Sequence, residues 1–255
     1  MPGPFTLENP PMSELLLDRP LGDLASAIPG ATAVFHRHHL DFCCGGRQSL
    51  RAAAAGRGED PAAVAAELAE LQRQPAAGER DWRQARAGEL IDHILVRFHE
   101  RHRAQLPELI RLANKVETVH ADSADCPRGL TNHLEAMQQD LLNHMLKEEQ
   151  ILFPLLRHGS AAFVPGPIAM MRDEHDLHGA ALARMVELAG GLTPPEGACT
   201  TWRALIAGLQ VLREDLMQHI HLENNVLFEG QTVEVASAVP ARQSGCCGSC
   251  GGGRG

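Results

Sequence analysis

The 255-residue chain is 44% hydrophobic and 22% charged, which is ample for a packed core of one or two globular domains. A net charge of −9 argues against a general nucleic-acid binder, which would present a basic face, and no stretch approaches the roughly 18 apolar residues of a membrane span. Fourteen histidines, no tyrosine and seven cysteines without a disulfide framework indicate instead a cytoplasmic protein that handles metal or redox chemistry.

The chain opens on a Pro-rich, loose stretch with no leader-like apolar run. Apolar residues then return at helical spacing in Leu21, Leu24 and Ile28, and Pro29-Gly30 interrupts them. A second short helix carries Val34 and Phe35. Asp41-Phe42-Cys43-Cys44-Gly45-Gly46 reads as a turn, followed by an Ala-rich helix and by Asp60-Pro61, which suit the N-cap and first position of a helix with Val64, Leu68 and Leu71 on its apolar stripe. Pro75 to Gly78 reads as a linker, so residues 1–78 are expected to form a small helical domain.

Residues 79–230 predict four long helices, and no alternating β-branched run asks for a sheet. The first places Leu95, His99, His102, Leu106 and Leu109 inward, with a kink expected at Pro107. The second, from about Leu130 to Leu156, places Leu134, Met137, Leu141, His144, Glu148, Ile151 and Leu155 inward. The third uses Ile168, Met171, His175, His178, Leu182 and Met185, and the fourth Trp202, Leu205, Leu209, Leu212, Leu216, His219, Glu223 and Val226. Residues 231–255 read as a flexible Cys/Gly-rich tail. Its Cys246, Cys247 and Cys250 could chelate a thiophilic ion, but a single C-x-x-C is weak grounds for a zinc site.

The seam of this all-α bundle carries its chemistry. His144-x-x-x-Glu148 recurs as His219-x-x-x-Glu223, and each copy sets an imidazole and a carboxylate one helical turn apart on one face. Upstream of each lies a His-acid-x-His segment, His99 to His102 and His175 to His178, so the bundle reads as two similar hairpins. Glu148 and Glu223 stand where the pattern calls for leucine, and burying an unpaired carboxylate costs several kcal/mol. Two cations would compensate, with His99, His144, His175 and His219 converging on both carboxylates. Mixed imidazole and carboxylate ligation suits iron, manganese or zinc, and a two-metal site of this kind in a four-helix bundle most resembles non-haem di-iron.

The other histidines are read more plainly. His102 and His178 face inward and are expected to hydrogen-bond around the site rather than to ligate. His93, His120, His133, His158 and His221 fall off the seam and read as surface residues, and His36, His38 and His39 as a solvated helix end. Cys43-Cys44, flanked by Gly45-Gly46, reads equally as an accessible pair for redox or transient metal capture and as two small hydrophobes.

The chain resembles the repair-of-iron-centres family of the ScdA or YtfE type, whose members join a small Cys-Cys domain to a haemerythrin-like di-iron bundle. The resemblance rests on Asp41 to Gly46, Ile91-Asp92-His93-Ile94, Arg97-Phe98-His99, His144 to Glu149, Glu174-His175-Asp176 and His219 to Asn225. It implies His99, His144, Glu148, His175, His219 and Glu223 as ligands of two non-haem irons, with both glutamates bridging. It further implies a stress-response role in restoring iron-sulfur clusters damaged by nitric oxide or oxidants, through labile iron, with damaged iron-sulfur proteins as partners. Nitric oxide or oxygen would be small ligands. A haemerythrin-like gas binder or sensor, or a nitric oxide reductase, is the alternative. Glu174, beside His175, is expected to assist proton or ion movement, Cys43 and Cys44 to help metal transfer or couple the site to reductant, and the small domain to offer a face for a homodimer. His178, Glu229 and the tail depart from the family pattern.

Overall fold

The computed structural model describes residues 12–73, 80–159 and 164–229, and the regular elements among them are helices. The tail with Cys246, Cys247 and Cys250 lies outside the described residues. Near the N-terminus come α1 (Met12–Leu17), α2 (Leu21–Ala27), α3 (Ala31–Arg37), α4 (Leu50–Gly56) and α5 (Pro61–Arg73). Their starts follow from local chemistry. The Ser49 hydroxyl accepts from Ala52 N at 3.3 Å to begin α4, and Asp60 Oδ1 accepts from Ala62 N at 2.9 Å ahead of Pro61. His38 is an internal brace rather than a solvated end, because its Nδ1 and Nε2 reach Glu59 and Glu67 at 2.9 Å each and pin the end of α3 to α5.

The bundle follows. Its first helix is α6 (Ala87–Ile94), a π-helical turn at Leu95–His99, and α7 (Glu100–Val119), which runs through Pro107 without a break. The second is α8 (Leu130–Lys147), a π turn at Glu148–Leu152, and α9 (Phe153–Arg157). The third is α10 (Pro165–Leu188), and the fourth is α11 (Thr200–Leu222) with a π turn at Glu223–Leu227. α7 packs on α8 and α11, and α10 packs on the same two helices, so α7 and α10 face each other diagonally. No helix among the described residues is long and apolar enough to cross a membrane.

The three π turns correct the predicted stripe. A π turn adds a residue per turn, so positions beyond it rotate onto a new face. Past Glu148, Ile151 is 55% exposed and Leu152 and Leu156 are buried in place of Ile151 and Leu155. Past Glu223, Leu227 is buried in place of Val226. Each π turn begins or ends on His99, Glu148 or Glu223, as such turns commonly do at functional sites.

Two apolar clusters sandwich a polar layer. One joins Leu90, Ile94, Phe98, Leu152, Phe153, Met171 and Phe228 at one end of the bundle. The other runs without interruption from Leu21, Phe35, Phe42 and Leu68 of the N-terminal helices into Leu109, Leu134, Leu205 and Leu209. The N-terminal helices therefore share their core with the bundle, and they seat the Cys43-Cys44 turn against its polar layer.

Candidate metal centre

His99, His144, Glu148, His175, His219 and Glu223 form that layer, each at most 1% exposed. They make two groups: His99, His219 and both glutamates, and His144, His175 and both glutamates, with donor atoms inside each group within 4.8 Å of one another. Each glutamate spans the two histidines of its own hairpin. Glu148 stands 3.4 and 3.3 Å from Nε2 of His99 and His144, and Glu223 stands 3.1 and 3.2 Å from Nε2 of His175 and His219. Each group, by contrast, draws one histidine from each hairpin, with Nε2 to Nε2 separations of 3.2 Å for His99 and His219 and 3.1 Å for His144 and His175.

These donors fit a pair of cations. Donors at right angles, about 2.1 Å from a common ion, stand about 3 Å apart. Both oxygens of Glu148 and Oε2 of Glu223 are buried without a hydrogen bond, although imidazole nitrogens lie at ion-pair distance. For these three oxygens the distances mark proximity without a hydrogen bond, whereas Glu223 Oε1 meets His219 Nε2 at 3.2 Å. Burial and mutual repulsion raise Glu148's carboxyl, yet His144 and His99 bring it below the usual carboxylate range. Burial likewise raises Glu223, and His219 and His175 hold it well below that range.

The outward nitrogens orient the rings. His99 Nδ1 donates to Glu149 Oε1 at 2.7 Å, His144 Nδ1 to Glu174 Oε2 at 2.8 Å, and His175 Nδ1 to Asn224 Oδ1 at 2.9 Å, which turns Nε2 of each inward as the atom that would meet a cation. Arg103 pairs with Glu149 at 2.7 Å, and Lys147 pairs with Glu174. Glu174 thus touches His144, across the bundle from its sequence neighbour His175. His219 Nδ1 is buried without a partner.

Several expectations change here. His102 and His178 are buried but join neither group; their rings lie 5.4 Å from His219 and 4.9 Å from His144. Burial pushes the His178 imidazole down to about 3 and His102 well below the ordinary value, so both are neutral. Neither ring nitrogen of His102 makes a hydrogen bond of normal geometry. For His102, ring packing against Phe98 and His219 therefore stands in place of the expected hydrogen bonds. His221, expected at the surface, is 1% exposed; it packs edge-on against Phe42 and accepts from Asn225 Nδ2 at 3.0 Å. The pair sits one helical turn apart, a spacing visible in the sequence, but the cover supplied by Phe42 from the N-terminal region is not.

The Cys43-Cys44 turn docks on this layer. Asp41 Oδ1 accepts from the backbone of Cys43 and Cys44 at 3.2 and 3.0 Å, and the thiols stand 3.6 Å apart. Cys44 Sγ donates to the carbonyl of His175 at 3.3 Å, a contact that Gly179 permits, since a Cβ there would lie 3.2 Å from the sulfur. Asn224 Nδ2 donates to the Cys43 carbonyl at 3.2 Å and Asn225 Nδ2 to that of Phe42 at 3.3 Å. Asn225 reaches the turn over Gly22, where a Cβ would come within 2.4 Å of its side-chain oxygen. Asp41, Cys43 and Cys44 also form a third cluster of possible ligands. The hydrogen bond with Cys44 and burial push the Cys43 thiol well above its usual range, which favours its protonated form.

Comparisons with known proteins agree with this geometry. Residues 90–229 match the Hemerythrin HHE cation binding domain, and residues 17–72 match ScdA_N, a domain of unknown function. The chain is 53% identical over 211 residues to the iron-sulfur cluster repair protein YtfE of Dickeya chrysanthemi, covering 83% of this chain and 95% of that protein. It is 51% identical over the same length and shares to the protein of that name from Shigella boydii.

Proposed function

The chain belongs to the haemerythrin-like YtfE family of iron-sulfur cluster repair proteins, and from that premise we propose that it repairs damaged clusters by giving up iron. Its cofactor is a non-haem di-iron centre with Glu148 and Glu223 as bridging ligands. His99, His144, His175 and His219 are assigned as the remaining ligands. When bound, the irons supply one-electron chemistry, open coordination positions for nitric oxide or oxygen, and the transferable metal itself.

The observation that carries this reading is the pair of fully buried four-residue clusters with shared carboxylates, three of whose four oxygens make no hydrogen bond. Around them the protein positions protons. Glu174 holds the Nδ1 proton of His144 and meets Lys147, and so it can take up or return a proton when that imidazole's ligation changes. Cys43 and Cys44 are assigned to coupling the centre to reductant. Their contact is with a ligand's backbone rather than its ring, and the protonated Cys43 thiol is a poor metal ligand. Free Cys43, Cys44, Cys126 and Cys199 suit a reducing compartment, here the cytoplasm, with damaged iron-sulfur proteins as clients.

The test supplies iron-loaded protein to an enzyme with a damaged cluster and compares it with Glu148→Leu and Glu223→Leu. Recovery should fall to that of free iron with either variant; equal recovery would remove the centre from the reaction. Replacing Cys43 and Cys44 with serine should leave the di-iron spectrum intact and impair repair under limiting reductant.

A further inference from the structure

We propose that the two iron positions are unequal, and that the iron between His99 and His219 is the one handed over while the iron between His144 and His175 is retained. This rests on the iron-donating reading above and specifies which metal is donated.

The asymmetry lies behind the ligands. A ligating imidazole takes its orientation and part of its basicity from the acceptor of its other N–H, and losing that acceptor typically weakens metal binding about 10- to 100-fold. At the His144 and His175 position both imidazoles have one, Glu174 Oε2 at 2.8 Å and Asn224 Oδ1 at 2.9 Å. At the His99 and His219 position only His99 does, through Glu149 at 2.7 Å, since the buried Nδ1 of His219 has no hydrogen-bond partner.

Surroundings on the two sides reinforce the difference. Asn224 is itself anchored by its Nδ2 to the Cys43 carbonyl, and Cys44 Sγ rests on the His175 carbonyl, so the N-terminal helices clamp the retained position. The ring stacks themselves are alike, His219 lying parallel to Phe98 at 5.4 Å between centroids and His175 parallel to Phe228 at 6.0 Å, each at 5° between planes. Phe98 also lines a cleft of about 1030 Å³ whose walls include His36, Arg213 and Gln218. The less supported histidine therefore sits directly behind a cleft wall, and the better supported one sits beneath a docked turn.

The experiment loads the full-length protein with ferrous iron and mixes it with excess chromogenic chelator. Two release phases of equal amplitude are expected, with rates about 10- to 100-fold apart. Crystals of loaded protein soaked briefly in chelator should lose anomalous iron signal between His99 and His219 first. Asn224→Leu should collapse the two phases toward the fast one, whereas Asn224→Asp, which keeps an acceptor for His175, should preserve both. A single phase in the unaltered protein, or first loss between His144 and His175, overturns the inequality even if Asn224→Leu fails to fold. If both irons leave together and clusters are still repaired, the inequality alone fails. If neither iron reaches chelator or damaged enzyme, the iron-donating reading fails and takes the inequality with it.

Discussion

The two hairpins of the bundle present the same inward residues and different outward ones. In the first, Glu148 faces His99 and His144, and the Nδ1 of each histidine is met by a carboxylate that is itself paired with a cation. In the second, Glu223 faces His175 and His219 at slightly shorter range, but behind them stand a neutral amide and, for His219, no partner. A duplicated ligand frame is enough to collect two metals. What surrounds the frame decides how tightly each is held and what charge the imidazoles carry without metal. Because each metal position takes one histidine from each hairpin, the difference between hairpins is distributed over both irons, and the outer partners and surroundings distinguish them.

The largest test removes a bridging carboxylate from one hairpin at a time. Glu148→Leu and Glu223→Leu should each lower iron affinity by about 100-fold or more, since each takes a ligand from both positions at once. Glu223→Leu should lose more, because the histidines it abandons have the weaker outer support. Iron per chain after gel filtration at graded chelator concentrations measures this. Greater loss from Glu148→Leu would mean that carboxylate buttressing does not rank the hairpins.

The inward half of this comparison was legible in the sequence and the outward half was not. His144 and Glu148, or His219 and Glu223, interrupt an otherwise apolar 3.6-residue stripe, and burial cost alone marks them. The same periodicity failed one turn later. It placed Ile151, Leu155 and Val226 inside, whereas the π turns at Glu148 and Glu223 carry Leu152, Leu156 and Leu227 there. His221 was misplaced to the surface although it is buried against Phe42, a partner 179 positions away whose approach no local pattern encodes. Glu149 and Asn224 each follow a bridging glutamate in the chain, yet one meets His99 and the other His175, both from different helices. Such partners depend on how helices pack, and helix period says nothing about that.

A smaller effect should follow from weakening a single outer carboxylate. Glu149→Gln and Glu174→Gln keep an oxygen that can accept from Nδ1 but lose its charge, so each should cost about tenfold in affinity. The losses should fall on different metals: Glu149→Gln on the position of His99 and His219, Glu174→Gln on that of His144 and His175. Site-resolved anomalous occupancy at limiting iron distinguishes them. Equal depletion of both positions by either variant would show that the shared carboxylates average out any outer difference.

The finest test needs no iron. In the metal-free protein, burial acts to lower His144, but the charge of Glu148 at 3.3 Å, with help from Glu223 and Glu174, outweighs it and raises the pKa to about 9. His99 is raised in the same sense by Glu148 against its burial. For His219 burial prevails over Glu223, and its pKa is lowered. The signs of the stability changes follow. His144 binds its proton more tightly folded than unfolded, so its contribution is fully present below the unfolded value near 6.5 and is lost as pH rises toward about 9. His219 binds its proton less tightly folded, so below about 6.5 the unfolded chain takes up the proton first and stability falls as pH drops. The first hairpin therefore sets the alkaline edge of the metal-free protein's stability and the second contributes to its acid edge. Long-range nitrogen–proton NMR of the imidazoles, with thermal melts across the same pH range, reads both edges. Glu174→Gln should move the His144 titration and the alkaline edge downward while leaving His219 in place. If His144 and His219 instead titrate together, the outer carboxylates do not set the charge of the layer.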